Sequence, residues 1–442
     1  MAIFEKGEKM VSSKYNVIIS TNGKTYVFNL ASQCLIEANN EVIQYISNTE
    51  NKAVLTEEEE RVLHDNGIIV SSHEFEVLRL KSNINSLRYD RSRYGVFLST
   101  TAGCNLNCTY CYQDKRKELN SKGYVTPENW EIMLTHFRTE MQKYNVKQFV
   151  VCLFGGEPMY DDKMCQQIIR DLRKLESDIE SLSVQMVLIT NGTLFTEDNV
   201  EFYLKNVENI QITLDGIKEI HDQFRVYANG SGSFDKIVDG LGLICKYNIC
   251  EDPCEVCIRV NVNEKTVEKA RDLIDFIVEK NLQKGITTIS FHEIFSTQGD
   301  IIESGGESES PDLVLANKIC QLNFYVLSKG IKVFKELAGP CIAKMATGYA
   351  IDENLNIYGC PGIIYSEVHG KLQENGEISV NSKDWYSYYL DDPDCIDKCK
   401  YAPICYGGCN WARGKKEKEC KREVFDATIV QKLQAYIMSK YT

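Results

Sequence analysis

The stretch CNLNCTYC, residues 104–111, sets its cysteines at C-x3-C-x2-C spacing. Three thiolates so placed in one loop can hold three irons of a four-iron cluster, leaving the fourth iron free for a cofactor or substrate. The residues between them, Asn105, Leu106, Asn107, Thr109 and Tyr110, are uncharged, so nothing repels an anionic cluster. The same spacing recurs in CEDPCEVC, residues 250–257. There Glu251, Asp252 and Glu255 lie between the thiols, which raises thiol pKa values and repels a cluster. Pro253 stiffens the loop, and the stretch enters a strand where the first triplet leaves one. The first triplet is therefore expected to hold a cluster and the second to be a structural turn.

Around the first triplet, strands and helices alternate. Strands are expected at 96–100, 148–154, 184–190, 209–214, 257–261 and 287–293. Helices are expected after Thr126-Pro127, an N-cap and N1 pair, and over 161–175, 197–205, 234–247 and 267–280. Six βα units in a row predict a parallel sheet with right-handed crossovers, and chemistry at the C-terminal ends of its strands. The segment GDIIESGGESESP, residues 299–311, reads as a polar loop.

Composition narrows the class. The chain has 442 residues, long enough for more than one core, and a formal net charge of −13, which argues against a nucleic-acid partner. No apolar run reaches the roughly 20 residues of a membrane span. The N-terminus lacks a signal-peptide core, so a cytoplasmic location is expected. Its 18 cysteines, clustered as they are, point to metal binding before disulfides.

Residues 14–88 read as a separate unit. Asn22-Gly23 joins two strands as a hairpin. A helix is expected over 33–46, then another after the capping box of Thr56 and Glu59, a strand at 68–70 and a helix over 73–87. The order strand, strand, helix, helix, strand, helix predicts a winged-helix-like module.

The cysteine spacing, with an aromatic before its third cysteine, resembles the radical S-adenosylmethionine (SAM) superfamily. LFGGEP after the second strand looks like its GGE motif, LITNG ends the third strand, QITLDG the fourth, and IRVNVNEKT forms the fifth. The resemblance implies a cluster on Cys104, Cys108 and Cys111. It implies SAM contacts at Tyr110, Gly155, Gly156, Glu157, Asn191, Thr213, Arg225 and Asn261, and no catalytic side chain beyond the cluster. The C-terminal cysteines resemble the SPASM extension, which binds auxiliary clusters. By position, Cys341, Cys360 and Cys409 would hold the first, and Cys395, Cys399, Cys405 and Cys420 the second. C-x3-C at 395–399 departs from the usual C-x2-C, and Leu355 stands where relatives have glycine.

The expected fold is thus α/β: a partial (β/α)6 TIM-type barrel over 89–310, a winged-helix-like module over 1–88, a bridging helical segment over 311–340 and an iron–sulfur SPASM domain over 341–442. The expected cofactors are SAM and three four-iron clusters. The expected partners are a precursor peptide, whose leader the N-terminal module would bind, and an electron donor such as flavodoxin or ferredoxin. The resemblance implies a maturase that installs thioether cross-links in a ribosomally made peptide. Carbon–carbon or carbon–oxygen links, epimerisation, maturation of an anaerobic sulfatase, and a metal-binding peptide adaptor without chemistry are the alternatives.

Overall fold

A computed structural model describes residues 10–47, 55–113, 123–294, 311–333, 337, 341–387, 392–409 and 420–441. The loop expected from residue 299 falls outside them up to residue 310.

The N-terminal region runs β1 (Val11–Ser12), β2 (Asn16–Thr21), β3 (Lys24–Asn29), β4 (Leu35–Glu37), α1 (Asn40–Ile46), α2 (Glu57–Asp65), β5 (Ile69–Val70) and α3 (His73–Arg88). Asn22 and Gly23 both take positive φ, 52° and 72°, as a tight hairpin between two right-twisted strands requires. Thr56 and Glu59 close the capping box at the start of α2. One expectation fails here. Residues 33–46 are not one helix: Leu35, Ile36 and Glu37 pair with β3, and only the segment capped by Asn39 is helical. Apolar Leu35 and Ile36 flanking a turn satisfy a strand as well as a helix, and the β3 backbone decides between them. The strand at 69–70 pairs with β1 and not with the hairpin. The module is therefore a three-stranded sheet, β2-β3-β4, with helices.

The barrel strands are β6 (Arg93–Thr101), β7 (Gln148–Gly155), β8 (Ser183–Thr190), β9 (Asn209–Thr213), β10 (Glu255–Val262), β11 (Thr288–Glu293) and β12 (Lys332–Val333). All pair in parallel, in sequence order. The helices between them are α4 (Pro127–Tyr144), α5 (Asp162–Asp178), α6 (Val200–Asn206), α7 (Lys218–Phe224), α8 (Phe234–Tyr247), α9 (Ala270–Glu279) and α10 (Pro311–Ser328). This is a partial TIM-type barrel. Period-two burial shows why. On β10, Val256, Ile258, Val260 and Val262 are wholly buried, while Cys257 and Arg259 between them are only half-buried. Each aliphatic side chain so buried contributes about 1.5–3 kcal/mol. The alternate residues are left for the inner face.

The sheet then continues on its other side. A strand the sequence reading omitted, β13 (Gly348–Ile351), pairs in parallel with β6, and β14 (Asn356–Tyr358), β15 (Gly370–Leu372) and β16 (Ile378–Val380) follow as an antiparallel meander. The chain ends with α11 (Lys383–Ser387), α12 (Pro393–Lys398), α13 (Ala402–Cys405) and α14 (Arg422–Tyr441). Leu355, in the β13–β14 turn, holds φ +68°, the conformation a glycine adopts without cost. The turn forms regardless. The buried Asp352 carboxylate accepts from the Asn354 and Asn356 amides (both 2.9 Å), Asn356 Nδ2 (3.0 Å) and the Tyr358 hydroxyl (2.7 Å).

Two compact units result. One comprises residues 1–89, 335–341 and 389–442, and the other 90–334 and 342–388. In the first, Tyr15, Phe28, Leu80 and Ile84 share a core with Ile396, Tyr401, Leu433 and Ile437. No helix among the described residues is long and apolar enough to cross a membrane.

Candidate active site

The register of β6 on β7 slips between Ser99 and Thr101, and the cysteine loop begins just beyond. The residues between the cysteines tie this loop down. The Asn107 amide donates to Val226 O (2.7 Å), the Thr109 amide to Phe224 O (2.9 Å), and Asn105 Nδ2 to Thr193 Oγ1 (2.8 Å). Cys104, Cys108 and Cys111 stay half-buried. Among the described residues, no three Cys, His, Asp or Glu side chains close on a single ion. A cubane cluster asks for something else, since each of its thiolates takes a different iron.

Gly155 and Gly156 lie against this loop. The Gly156 amide donates to Thr101 O (2.7 Å) and the Glu157 amide to Gly103 O (2.8 Å). A Cβ on Gly156 would fall 2.1 Å from Gly103 O, and one on Gly155 would fall 2.3 Å from Thr101 O. Backbone meets backbone here, so only glycine fits. The Glu157 carboxylate turns into the protein, where it accepts from Asn191 N (2.6 Å), Thr190 Oγ1 (2.7 Å) and Met159 N (3.1 Å). Burial pushes its pKa up, against three donors that favour the ionised form. Glu157 thus ties the end of β7 to the end of β8. Asn191 Nδ2 in turn reaches Asn105 Oδ1 (2.8 Å) and Cys104 Sγ (4.0 Å).

Across the strand ends, Asp215 collects the remaining candidates. Tyr110 donates its hydroxyl proton to Asp215 Oδ2. Asp215 Oδ1 accepts from Asn261 N (2.9 Å) and Nδ2 (3.1 Å). Arg225 Nη1 donates to the Tyr110 oxygen (3.1 Å). Burial opposes the Arg225 charge, but Tyr110, Cys108 and Asp215 outweigh it and hold the guanidinium above its ordinary pKa. Arg225 Nε is buried without a hydrogen-bond partner among the described residues. Such a donor fits an incoming carboxylate. Thr213 lies in the same row of the sheet as Arg259, one strand away.

Asp215 and His221 are not among the site residues expected from the sequence. His221 is fully buried, with Nδ1 accepting from the Asp215 amide (3.1 Å) and Nε2 facing Ser233 Oγ (3.0 Å). Burial first, then Arg225 and Lys218, push its pKa down to about 3. The available signal was a carboxylate ending an apolar strand, which must find donors once folded.

Residues 98–277 match the Radical SAM superfamily. This part of the chain is a radical SAM domain. The chain is similar to a cysteine-type anaerobic sulfatase-maturating enzyme of Clostridium novyi, 24% identical over 335 residues, or 70% of this chain and 85% of that protein. A serine-type anaerobic sulfatase-maturating enzyme of Bacteroides thetaiotaomicron is 26% identical over 40% of this chain and 41% of that protein. A solved structure of native anSMEcpe with bound AdoMet and Cp18Cys peptide shares the fold, with a TM-score of 0.60 at 18% identity. It covers 79% of this chain and 100% of that one, so about a fifth of this chain has no counterpart there. Radical SAM proteins use SAM and a four-iron cluster. The loop at 104–111 and the unpartnered Arg225 Nε suit those two groups.

The C-terminal cysteines fall in different places. Cys395 and Cys399 sit one helical turn apart on and just after α12, where the Cys399 amide bonds Cys395 O (3.1 Å). An i, i+4 pair shares one helix face, so the x3 spacing keeps these two thiols together. Cys405 ends α13, and its carbonyl accepts from Gly408 N (2.9 Å). Cys341, Cys409 and Cys420 are exposed and belong to the first unit, whereas Cys360 belongs to the barrel unit. The second triplet diverges. Cys254 is buried with its thiol toward Glu208 O (3.6 Å), Cys250 is exposed with its thiol on Asp252 O (3.1 Å), and Cys257 lies beside Ser290 Oγ (3.5 Å).

Proposed function

We propose that this radical SAM enzyme is a SPASM-type peptide maturase that joins a substrate cysteine sulfur to a carbon of the same precursor peptide. One observation carries the peptide part of this reading: β4 ends the three-stranded sheet of the N-terminal module, and no strand pairs with its outer edge among the described residues. In β4, Ile36 and its neighbours Cys34 and Ala38 face β3, with the Ala38 amide on Thr25 O (2.9 Å) and Cys34 O accepting from Asn29 N (3.0 Å). The amides and carbonyls of Leu35 and Glu37 therefore point away from the sheet. The opposite edge, β2, is covered by α14, whose Gln434 Nε2 donates to Ser20 O (2.8 Å). An extended leader peptide pairs with the β4 edge and gains main-chain hydrogen bonds there.

When bound, the cluster and SAM would supply radical hydrogen-atom abstraction from the substrate. The residues of this chain position those groups. Cys104, Cys108 and Cys111 hold the cluster, and the Arg225 Nε takes the methionine carboxylate. The turn carbonyls at Gly155 and Gly156 accept from its ammonium, while Glu157 and Asn191 fix that turn. Tyr110, Thr213 and Asn261 line the nucleoside side. Cys341, Cys360 and Cys409 bind the first auxiliary cluster, and Cys395, Cys399, Cys405 and Cys420 the second. In this reading residues 1–88 recognise the peptide, 89–310 perform the chemistry, 311–340 connect and 341–442 carry the auxiliary clusters. A flavodoxin or ferredoxin supplies electrons in the cytoplasm.

The test is anaerobic reaction of the reconstituted enzyme with cysteine-containing precursor peptides, read by tandem mass spectrometry. A thioether removes two hydrogens and a free thiol from one peptide. Unchanged mass with one inverted residue indicates epimerisation, and failure to cleave SAM leaves only the adaptor. The names of the curated relatives favour a second reading, sulfatase maturation. Against it stands Pro361 after Cys360, where sulfatase maturases often have Asp. A sulfatase peptide bearing its target cysteine is the control substrate.

A further inference from the structure

Arg259 has no place in the cofactor set above. It lies on β10, in register with Thr213 of β9 and Ser290 of β11. It occupies the inner face, because Ile258 and Val260 on either side of it are buried on the other. Its Nε donates to Asn261 Oδ1 (3.0 Å), a neutral acceptor. Its terminal nitrogens have no hydrogen-bond or ion-pair partner among the described residues. Tyr112, Asp215, Tyr110 and Cys257 are the groups whose charge acts on it, against the cost of burial. Of these, only Asp215 is a carboxylate, and its oxygens are already taken by Tyr110 and Asn261. A half-buried guanidinium whose terminal fork is free is costly unless something arrives to pair with it.

Counting charges says what arrives. SAM carries one carboxylate, and the site offers two incompletely paired guanidinium groups, Arg225 and Arg259. Arg225 stands beside Cys108 and the cluster loop and suits the cofactor. We propose that Arg259 is a substrate-positioning residue. Its terminal nitrogens grip an acyl oxygen of the peptide, either a side-chain carboxylate or a backbone carbonyl, beside the carbon that loses its hydrogen. The fork geometry of Arg gives two parallel hydrogen bonds to such a group and fixes orientation as well as position. This inference rests on the peptide-maturase reading.

Arg259→Gln and Arg259→Lys are compared with the wild-type enzyme, with Arg225→Gln as the cofactor control. The expected result for Arg259→Gln is a peptide KM raised at least about tenfold, as loss of a charge-assisted pair gives. Its SAM Kd stays unchanged, and Arg259→Lys falls in between. Arginine footprinting with phenylglyoxal and mass spectrometry gives a readout independent of turnover. Arg259 stays reactive in the SAM complex and becomes protected by peptide, whereas SAM protects Arg225. Replacing Asp or Glu of the peptide by Asn or Gln abolishes the Arg259→Gln effect if the partner is a side-chain carboxylate, and preserves it if the partner is a backbone carbonyl. Protection of Arg259 by SAM, or a weakened SAM Kd with unchanged peptide KM, overturns the proposal. If the wild-type enzyme processes no peptide, the maturase reading fails by itself. The footprint then decides for Arg259: labelling that persists with SAM supports a role outside the cofactor site, and protection refutes it.

Discussion

His221 shows how one buried side chain holds the site. Its Nδ1 must be unprotonated to accept from the Asp215 amide, and Asp215 in turn binds Tyr110 and Asn261. The folded-state pKa, about 3, lies below the ordinary 6.5, so the unfolded chain binds a proton that the folded one excludes. The stabilisation is complete above about pH 6.5 and is lost as pH falls from there toward 3. Between pH 7 and 5 the loss is about 2 kcal/mol. The thermal midpoint of wild type should therefore fall further between these pH values than that of His221→Gln, measured by circular dichroism. Equal falls would remove His221 from this account. At the same scale, Gly155 and Gly156 were legible as a motif because the motif demands glycine. Asp215 and His221 were not, because a carboxylate ending an apolar strand shows that it needs donors but not which distant residues supply them.

At the scale of elements, β4 carries most weight. From sequence its three residues read as part of a helix, since a short apolar segment after a turn fits either period. The consequence is functional, because β4 supplies the edge proposed to take the leader peptide. Glu37→Pro tests it. The Glu37 amide points away from β3, so proline there removes an outward donor without breaking a ladder bond. The expected outcome is a leader peptide bound at least about tenfold more weakly, by fluorescence anisotropy, with unchanged reductive cleavage of SAM. Unchanged leader affinity would move the peptide elsewhere. The barrel strands fared differently. Their long alternating runs, such as 255–262, have one period and one solution, and helices with marked caps, such as α4 behind Thr126 and Pro127, begin where expected. The meander β13–β16 escaped because its strands are only three or four residues long, and β13 alone ties it to the barrel sheet by pairing with distant β6.

At the scale of the whole molecule, the cluster assignment becomes a count. Three four-iron clusters imply about twelve irons per chain after anaerobic reconstitution. Cys104→Ala with Cys108→Ala and Cys111→Ala should lower that to about eight and abolish SAM cleavage, and replacing Cys395 and Cys399 should remove the second auxiliary cluster alone. An iron content of about four, unchanged by the Cys395 and Cys399 replacements, would confine the chemistry to a single cluster.

The sequence alone determined the cysteine loop, the order of the βα units and the glycine turn beside them. These depend on spacing and periodicity, which are properties of neighbouring residues. It also rejected residues 250–257 as a cluster site, from the charges between the thiols. Tertiary structure decided the rest: that Glu157 turns inward to hold two strand ends, that Asp215 joins Tyr110 to Asn261, and that α14 bonds the β2 edge while no described strand pairs with the outer edge of β4. It also put Arg259 beside Thr213, with its terminal nitrogens unengaged among the described residues. Each of these is set by which distant backbone lies alongside, and no local pattern encodes that.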